Sequence, residues 1–167
     1  MTRQEKLDGQ MTSVEDQLPE LSVYAVDHLG IVVPDLAAAV QLYRDVLGCR
    51  VSEPVVPPDQ GIAVVFVHFD NVRVELITPT VAVSPIPHVL ENHTVNAFLE
   101  RQPQGGLHHI CYVVDDLKAI CDRLRARGMR ILGTGEPIIG ASRLPILFLD
   151  PQTAAGTLIE LKQKAPH

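Results

Sequence analysis

Two histidines and two glutamates stand at matched places in the two halves of this sequence. His28 lies in Val-Asp-His-Leu-Gly-Ile-Val-Val-Pro-Asp-Leu (26–36) and His109 in Leu-His-His-Ile-Cys-Tyr-Val-Val-Asp-Asp-Leu (107–117). Glu75, in Val-Glu-Leu-Ile, and Glu160, in Ile-Glu-Leu-Lys, each interrupt a later apolar stretch. A carboxylate buried in such a stretch without a partner is costly, so each glutamate needs a reason to be there. Taken singly, a histidine near a strand start is usually structural, and a lone strand glutamate usually faces solvent. The match in both halves selects these four. Two imidazoles and two carboxylates suit a borderline divalent ion (Co, Mn, Ni, Zn or Fe), and an ion taking six ligands keeps two positions for a bidentate substrate.

The elements that must position them repeat as well. His28 and His109 are 81 residues apart, and so are Leu36 and Leu117. Each copy then enters a helical pattern, Leu36, Val40, Tyr43 and Leu47 in the first and Leu117, Ile120, Cys121 and Leu124 in the second. Asp35 and Asp116 precede these helices as N-caps, and Gly48 and Gly128 stop them. Three extended stretches follow in each copy: 50–53, 62–69 and 72–77, then 130–132, 145–149 and 157–161. The fold class expected is α+β, two tandem βαβββ modules packed side by side around one cleft, because neither module has core enough to stand alone. Module one covers about 24–78 and module two about 105–163, with a connector over 79–104 holding one short helix at 95–100. Together they make a single domain, 23–163, after a mobile N-terminal tail, 1–22. Period-two alternation turns His108 away from His109, and His68, His88, His93 and His167, lacking counterparts, read as surface residues. Cys111, matched by Gly30, reads as a small core residue, and Gly105-Gly106 as a turn.

Composition narrows the partners. The 167 residues are 46% hydrophobic, 4% aromatic and 20% charged, with a formal net charge of -6. An acidic chain poor in aromatic rings lacks both the basic patch and the stacking platforms of a nucleic-acid binder. Its apolar runs are strand-length, too short to span a membrane, and the polar amino end is no secretory signal. Three cysteines without Cys-x-x-Cys spacing fit a reduced, cytoplasmic protein.

The two His-containing segments, together with Gly-Thr-Leu-Ile-Glu-Leu (156–161), resemble the vicinal oxygen chelate superfamily. Within it the chain resembles the methylmalonyl-CoA epimerase family, through Leu-Tyr-Arg-Asp-Val-Leu-Gly (42–48), Pro-Asp-Gln-Gly-Ile (58–62), Thr-Gly-Glu-Pro-Ile-Ile-Gly (134–140) and Phe-Leu-Asp-Pro (148–151). The resemblance covers about residues 25–163 and implies a homodimer with a divalent ion on His28, Glu75, His109 and Glu160. The activity it implies is inversion of C2 of methylmalonyl-CoA, or a similar 2-carboxyacyl-CoA, through a metal-chelated enolate. Glu160 and Glu75 are then the catalytic carboxylates, one on each face of the carbon. Some members carry a further glutamate where this chain has Val64, which shifts weight onto Glu75. Gln60, Ser142 and Arg143 are the substrate-binding candidates. Where the family commonly has lysines and histidines, Gly140–Pro145 and Asp150-Pro151-Gln152 return only Arg143 as a positive charge, and the connector carries an apparent insert at 81–92. Two alternatives stand beside this reading: a glyoxalase I-like lyase on a glutathione hemithioacetal, and a non-enzymatic small-molecule-binding module of the same fold.

Overall fold

The computed structural model describes residues 23–166. The expected mobile tail, 1–22, lies outside the described residues, as does His167. Alternating and all-apolar stretches become strands, and the two amphipathic stretches become helices α1 (Leu36–Gln41) and α4 (Leu117–Ala126). The first half runs β1 (Val23–Val32), α1, β2 (Arg50–Val51), β3 (Ile62–His68) and β4 (Arg73–Pro79). After α2 (Pro87–Leu90) and α3 (Val95–Arg101), the second half runs β5 (Gly106–Val114), α4, β6 (Ile138–Ile139), β7 (Pro145–Leu149) and β8 (Ile159–Gln163).

All eight strands join in one mixed sheet, ordered β2-β3-β4-β1-β5-β8-β7-β6. This order reads as its own mirror once the halves are exchanged. In each half the first strand pairs in parallel with the last, β1 with β4 and β5 with β8. β1 and β5 meet antiparallel at the centre, so the two halves share one continuous ladder. The architecture is α+β, as the sequence leads one to expect.

One face of each half is closed by its own helix. Leu36, Ala39, Val40 and Tyr43 pack on Val65, Val67, Val74 and Leu76. Leu117, Ile120 and Cys121 pack on Val114, Leu147, Leu149 and Leu161. The opposite face carries the cleft, and the connector builds part of its wall. Val95 and Phe98 of α3 pack on Val32, Val64 and Ile77, while Leu90 of α2 packs with Ile146 and Phe148. Asp35 and Asp116 cap their helices, accepting from the backbone N–H of Ala38 (3.0 Å) and Ala119 (2.9 Å).

Several local expectations are corrected. The first helix widens into a π-turn over Leu42–Val46, where the Leu47 N–H reaches back five residues to the Leu42 carbonyl (2.9 Å). The wider turn rotates Leu47 off the apolar stripe, and it is 58% exposed. The strand expected at 130–132 reduces to a single bridge, Ile131 to Leu149, and the edge strand is β6 instead. Gly133 (φ +67°) turns the chain there against the His88 carbonyl, which a Cβ would meet at 2.8 Å. The connector holds, besides α3, α2 and a 3₁₀ turn at Glu91–His93. No described helix is long and apolar enough to cross a membrane.

Removing one of the two matched caps tests the local reading. Asp116→Ala is expected to lower unfolding free energy by about 1 kcal/mol, measured by urea denaturation. An unchanged midpoint would contradict the cap.

Candidate metal centre

Sheet register alone brings the four singled-out side chains to one point. Gly30 of β1 is flanked by Glu75 of β4 and His109 of β5. Cys111 of β5 is flanked by His28 of β1 and Glu160 of β8. The His28 and His109 Nε2 atoms stand 3.2 Å apart. Each lies 3.3 Å from the Oε2 of its own half's glutamate, His28 from Glu75 and His109 from Glu160. The crossed separations are 3.5 Å (His109 to Glu75) and 4.0 Å (His28 to Glu160). All four side chains are buried. Ligands held about 2.1 Å from one ion lie about 3 Å apart at neighbouring positions and about 4 Å apart at opposite ones, so the donor set fits a divalent ion. Gly30 is required at its place, since a Cβ there would lie 2.2 Å from the His109 ring.

A ring of further groups supports these four. Asp27 Oδ2 accepts from His28 Nδ1 (2.7 Å) and from Arg73, and Asp27 Oδ1 pairs with the buried Lys162. Phe66 and Phe148, the cross-strand neighbours of Glu75 and Glu160, turn ring edges to His28 and His109 at 6.0 Å. Cys111 donates to Glu160 Oε1 (3.4 Å), so this thiol belongs to the site as well as to the interior. His108 is a correction. Gly30 pairs with His109 but Ile31 with Leu107, so His108 is the extra residue of a β-bulge and the alternation that would turn it away is broken. Its Nδ1 lies 2.9 Å from His109 Nδ1, and its ring lines the cleft.

Three carboxylates, Asp27, Glu75 and Glu160, face two cations, Arg73 and Lys162, an excess of one negative charge that a proton on His28 offsets. Burial works against a charged His28, but hydrogen bonds to Asp27, Cys111 and Glu75 outweigh it and push its pKa up to about 12. Burial would raise Glu75, yet hydrogen bonds to His109 and His28 hold its carboxyl well below the usual carboxylate range. Burial and the Glu160 carboxylate push the Cys111 thiol up to about 12. Burial and the neighbouring His109 lower His108 to about 3.

The cleft in front of these groups encloses about 740 Å³, open mouth included. Gln60 and Ser142 line it, and Gln60 Nε2 donates across the mouth to the Ile139 carbonyl (2.9 Å). Arg143 is not among the lining residues; it sits on an exposed turn, its N–H bound to the Gly140 carbonyl (2.9 Å). Asp150 is committed to structure, pairing with Arg130 and accepting from the Gln152 N–H. Ser84, Ile86 and Leu90, within or beside the insert, form part of the wall. Asp27, Arg73, Lys162 and the two phenylalanines escaped the sequence reading. A signal for some existed: Arg73 and Lys162 sit two residues from Glu75 and Glu160, on the same face of their strands.

Residues 27–148 match the model of the glyoxalase/bleomycin resistance protein/dioxygenase superfamily. The chain is 46% identical over 138 residues to an ethylmalonyl-CoA/methylmalonyl-CoA epimerase of Cereibacter sphaeroides, covering 83% of this chain and 96% of that one. A crystal structure of methylmalonyl-CoA epimerase from Mycobacterium tuberculosis superposes with a TM-score of 0.75 at 30% identity, over 90% of this chain and 94% of that one. A methylmalonyl-CoA epimerase in complex with methylmalonyl-CoA and NH4+ superposes at 0.72 with 28% identity, over 86% and 96%.

Because His28 holds its proton in the metal-free centre, a dication at the four donors must displace it. Metal affinity is therefore expected to rise with pH, about tenfold per unit for each proton released. Calorimetric titration with Co(II) in two buffers of different ionisation enthalpy measures that number. Binding that releases no proton would contradict the reading.

Proposed function

Since the chain belongs to the glyoxalase/bleomycin resistance protein/dioxygenase superfamily, and within it to the methylmalonyl-CoA epimerase family, we propose that it inverts C2 of methylmalonyl-CoA or a similar 2-carboxyacyl-CoA. The observation that carries this reading is the pair of buried glutamates, Glu75 and Glu160, set on opposite sides of two imidazoles at the floor of one cleft.

A proton on the carbon between a thioester and a carboxylate is only weakly acidic. Its removal requires a base at the carbon and positive charge beside the oxygen that becomes negative. His28, Glu75, His109 and Glu160 hold the divalent ion, which supplies that positive charge as a Lewis acid when bound. Glu75 and Glu160 take and return the C2 proton. One carboxylate removes it from one face, the other delivers a proton to the opposite face, and the reverse reaction exchanges their roles. Apolar side chains around them, including Ile62, Phe66, Ile77 and Val95, receive the alkyl substituent and exclude water. Gln60 and Ser142, which line the cleft, meet the polar part of the substrate, and Arg143, exposed outside that lining, is assigned to the phosphates that remain in solvent. The reading includes a cytoplasmic homodimer: all three cysteines are free thiols, and Leu42, Val46 and Leu47 leave apolar surface for a second copy.

Metal-reconstituted protein incubated with methylmalonyl-CoA in deuterium oxide is expected to exchange the C2 proton rapidly, read by NMR, and to lose this activity to chelator. Glu160→Gln is expected to lower the rate by about 10²- to 10⁴-fold. Exchange no faster than the protein-free blank, from protein holding its metal, would overturn the proposal.

A further inference from the structure

The two ligand histidines are not held alike, and the difference runs outward into the connector. Asp27 precedes His28 as His108 precedes His109, at the same offset of 81 residues (27 to 108, 28 to 109). Both preceding residues are bulged. Val26 pairs with Tyr112 and His28 with Cys111, which skips Asp27, just as Gly30 to His109 and Ile31 to Leu107 skips His108. A bulge at each place turns the side chain that alternation would send to the other face back beside the ligand that follows it. Asp27 Oδ2 then lies 2.7 Å from His28 Nδ1, and His108 Nδ1 lies 2.9 Å from His109 Nδ1.

The proton on each ring follows from the partners. His108 Nε2 lies 2.7 Å from the His93 carbonyl oxygen, which can only accept, so His108 carries its proton on Nε2. In the neutral ring Nδ1 is then a bare lone pair, and the contact with His109 Nδ1 is a hydrogen bond when His109 donates. With a proton on Nδ1, His109 turns an Nε2 lone pair toward the four-donor centre. The ring of His108 is fixed from its other side by Phe98 of α3, edge to face at 5.4 Å. The His93 carbonyl is fixed in turn, because Thr94 caps α3 through the Ala97 N–H (3.2 Å) and Arg101 donates to the Asn92 carbonyl (3.0 Å).

We infer that His108 is the second half's counterpart of Asp27, a positioning residue that presents His109 Nε2 to the metal by accepting the His109 Nδ1 proton, and that the His93 carbonyl of the connector holds it in that role. This rests on the metal-centre reading above and concerns binding, not turnover. The two supports differ in kind. Asp27 is an anion anchored by Arg73 and Lys162, which makes His28 the more electron-rich ligand. His108 is a neutral ring anchored on a loop carbonyl, so the geometry of His109 depends on how the connector sits over the cleft.

Two variants separate positioning from packing. His108→Phe keeps a ring against Phe98 and loses both nitrogens, whereas His108→Gln keeps one donor and one acceptor. Co(II) affinity, measured by competition with a chromophoric chelator, is expected to fall about 10- to 100-fold in His108→Phe and to recover in His108→Gln, with matching thermal unfolding of the metal-free variants. Should His108→Phe fail to fold, the wild type suffices: its Co(II) form is expected to show two solvent-exchangeable, hyperfine-shifted ring N–H signals in slow exchange, from His28 and His109. Wild-type affinity in His108→Phe, equal losses in both variants, or a missing His109 Nδ1 proton in the wild type would overturn the inference. A wild type that binds no Co(II) would overturn the metal centre itself, a result distinct from each of these.

Discussion

Glu75 and Glu160 are buried on opposite sides of one pair of imidazoles, each carboxylate within 4.0 Å of both Nε2 atoms, and two like charges held around one buried point repel. Water that would screen them is largely excluded. A fold that keeps both carboxylates there must bring positive charge to the same point. In the metal-free centre a proton on His28 supplies some of it, which is why His28 is raised and Glu75 depressed together. A dication supplies more, at the cost of that proton. Arg73 and Lys162 do not substitute for it, because both are engaged with Asp27, one layer behind.

The rest of the molecule meets this demand by duplication. Antiparallel pairing of β1 with β5 sets His28 and His109 within 3.2 Å, and the parallel pairings β1/β4 and β5/β8 deliver one glutamate from each half. Helices α1 and α4 close the far face of each half, leaving the near face free for chemistry. That near face is finished unequally. The connector packs α3 on one half and α2 on the other, and it reaches the centre through the His93 carbonyl and His108. A symmetric core therefore carries an asymmetric wall, as suits a site whose substrate has no symmetry of its own.

Repetition made the fold class and the convergence of the four residues readable from sequence, because the histidines' offset of 81 and the matching last-strand context of the glutamates, 85 apart, survive without any knowledge of packing. The histidines' offset also pairs Asp27 with His108, but their roles depend on bulges, and a bulge leaves no mark in a period-two pattern. Leu47 fell on the expected stripe until a π-turn, which the helical spacing does not announce, rotated it into solvent. The wall formed by Ile86 and Leu90 was hidden for a different reason: proline-rich connectors have no periodicity, and only tertiary contact decides which of their side chains face the cleft. Arg143 was chosen for its charge, and charge alone does not say that its turn lies outside the lining of the cleft.

One ion shared by equivalent atoms of the two halves is the claim on which the chemistry rests. Crystals of the Co(II)-loaded protein, measured on either side of the cobalt absorption edge, test it directly through the anomalous difference map. One peak per chain among His28 Nε2, His109 Nε2, Glu75 and Glu160 is the expected result. A peak at the neighbouring Asp27, His28 and Cys111 group, or none near the histidine pair, would contradict it.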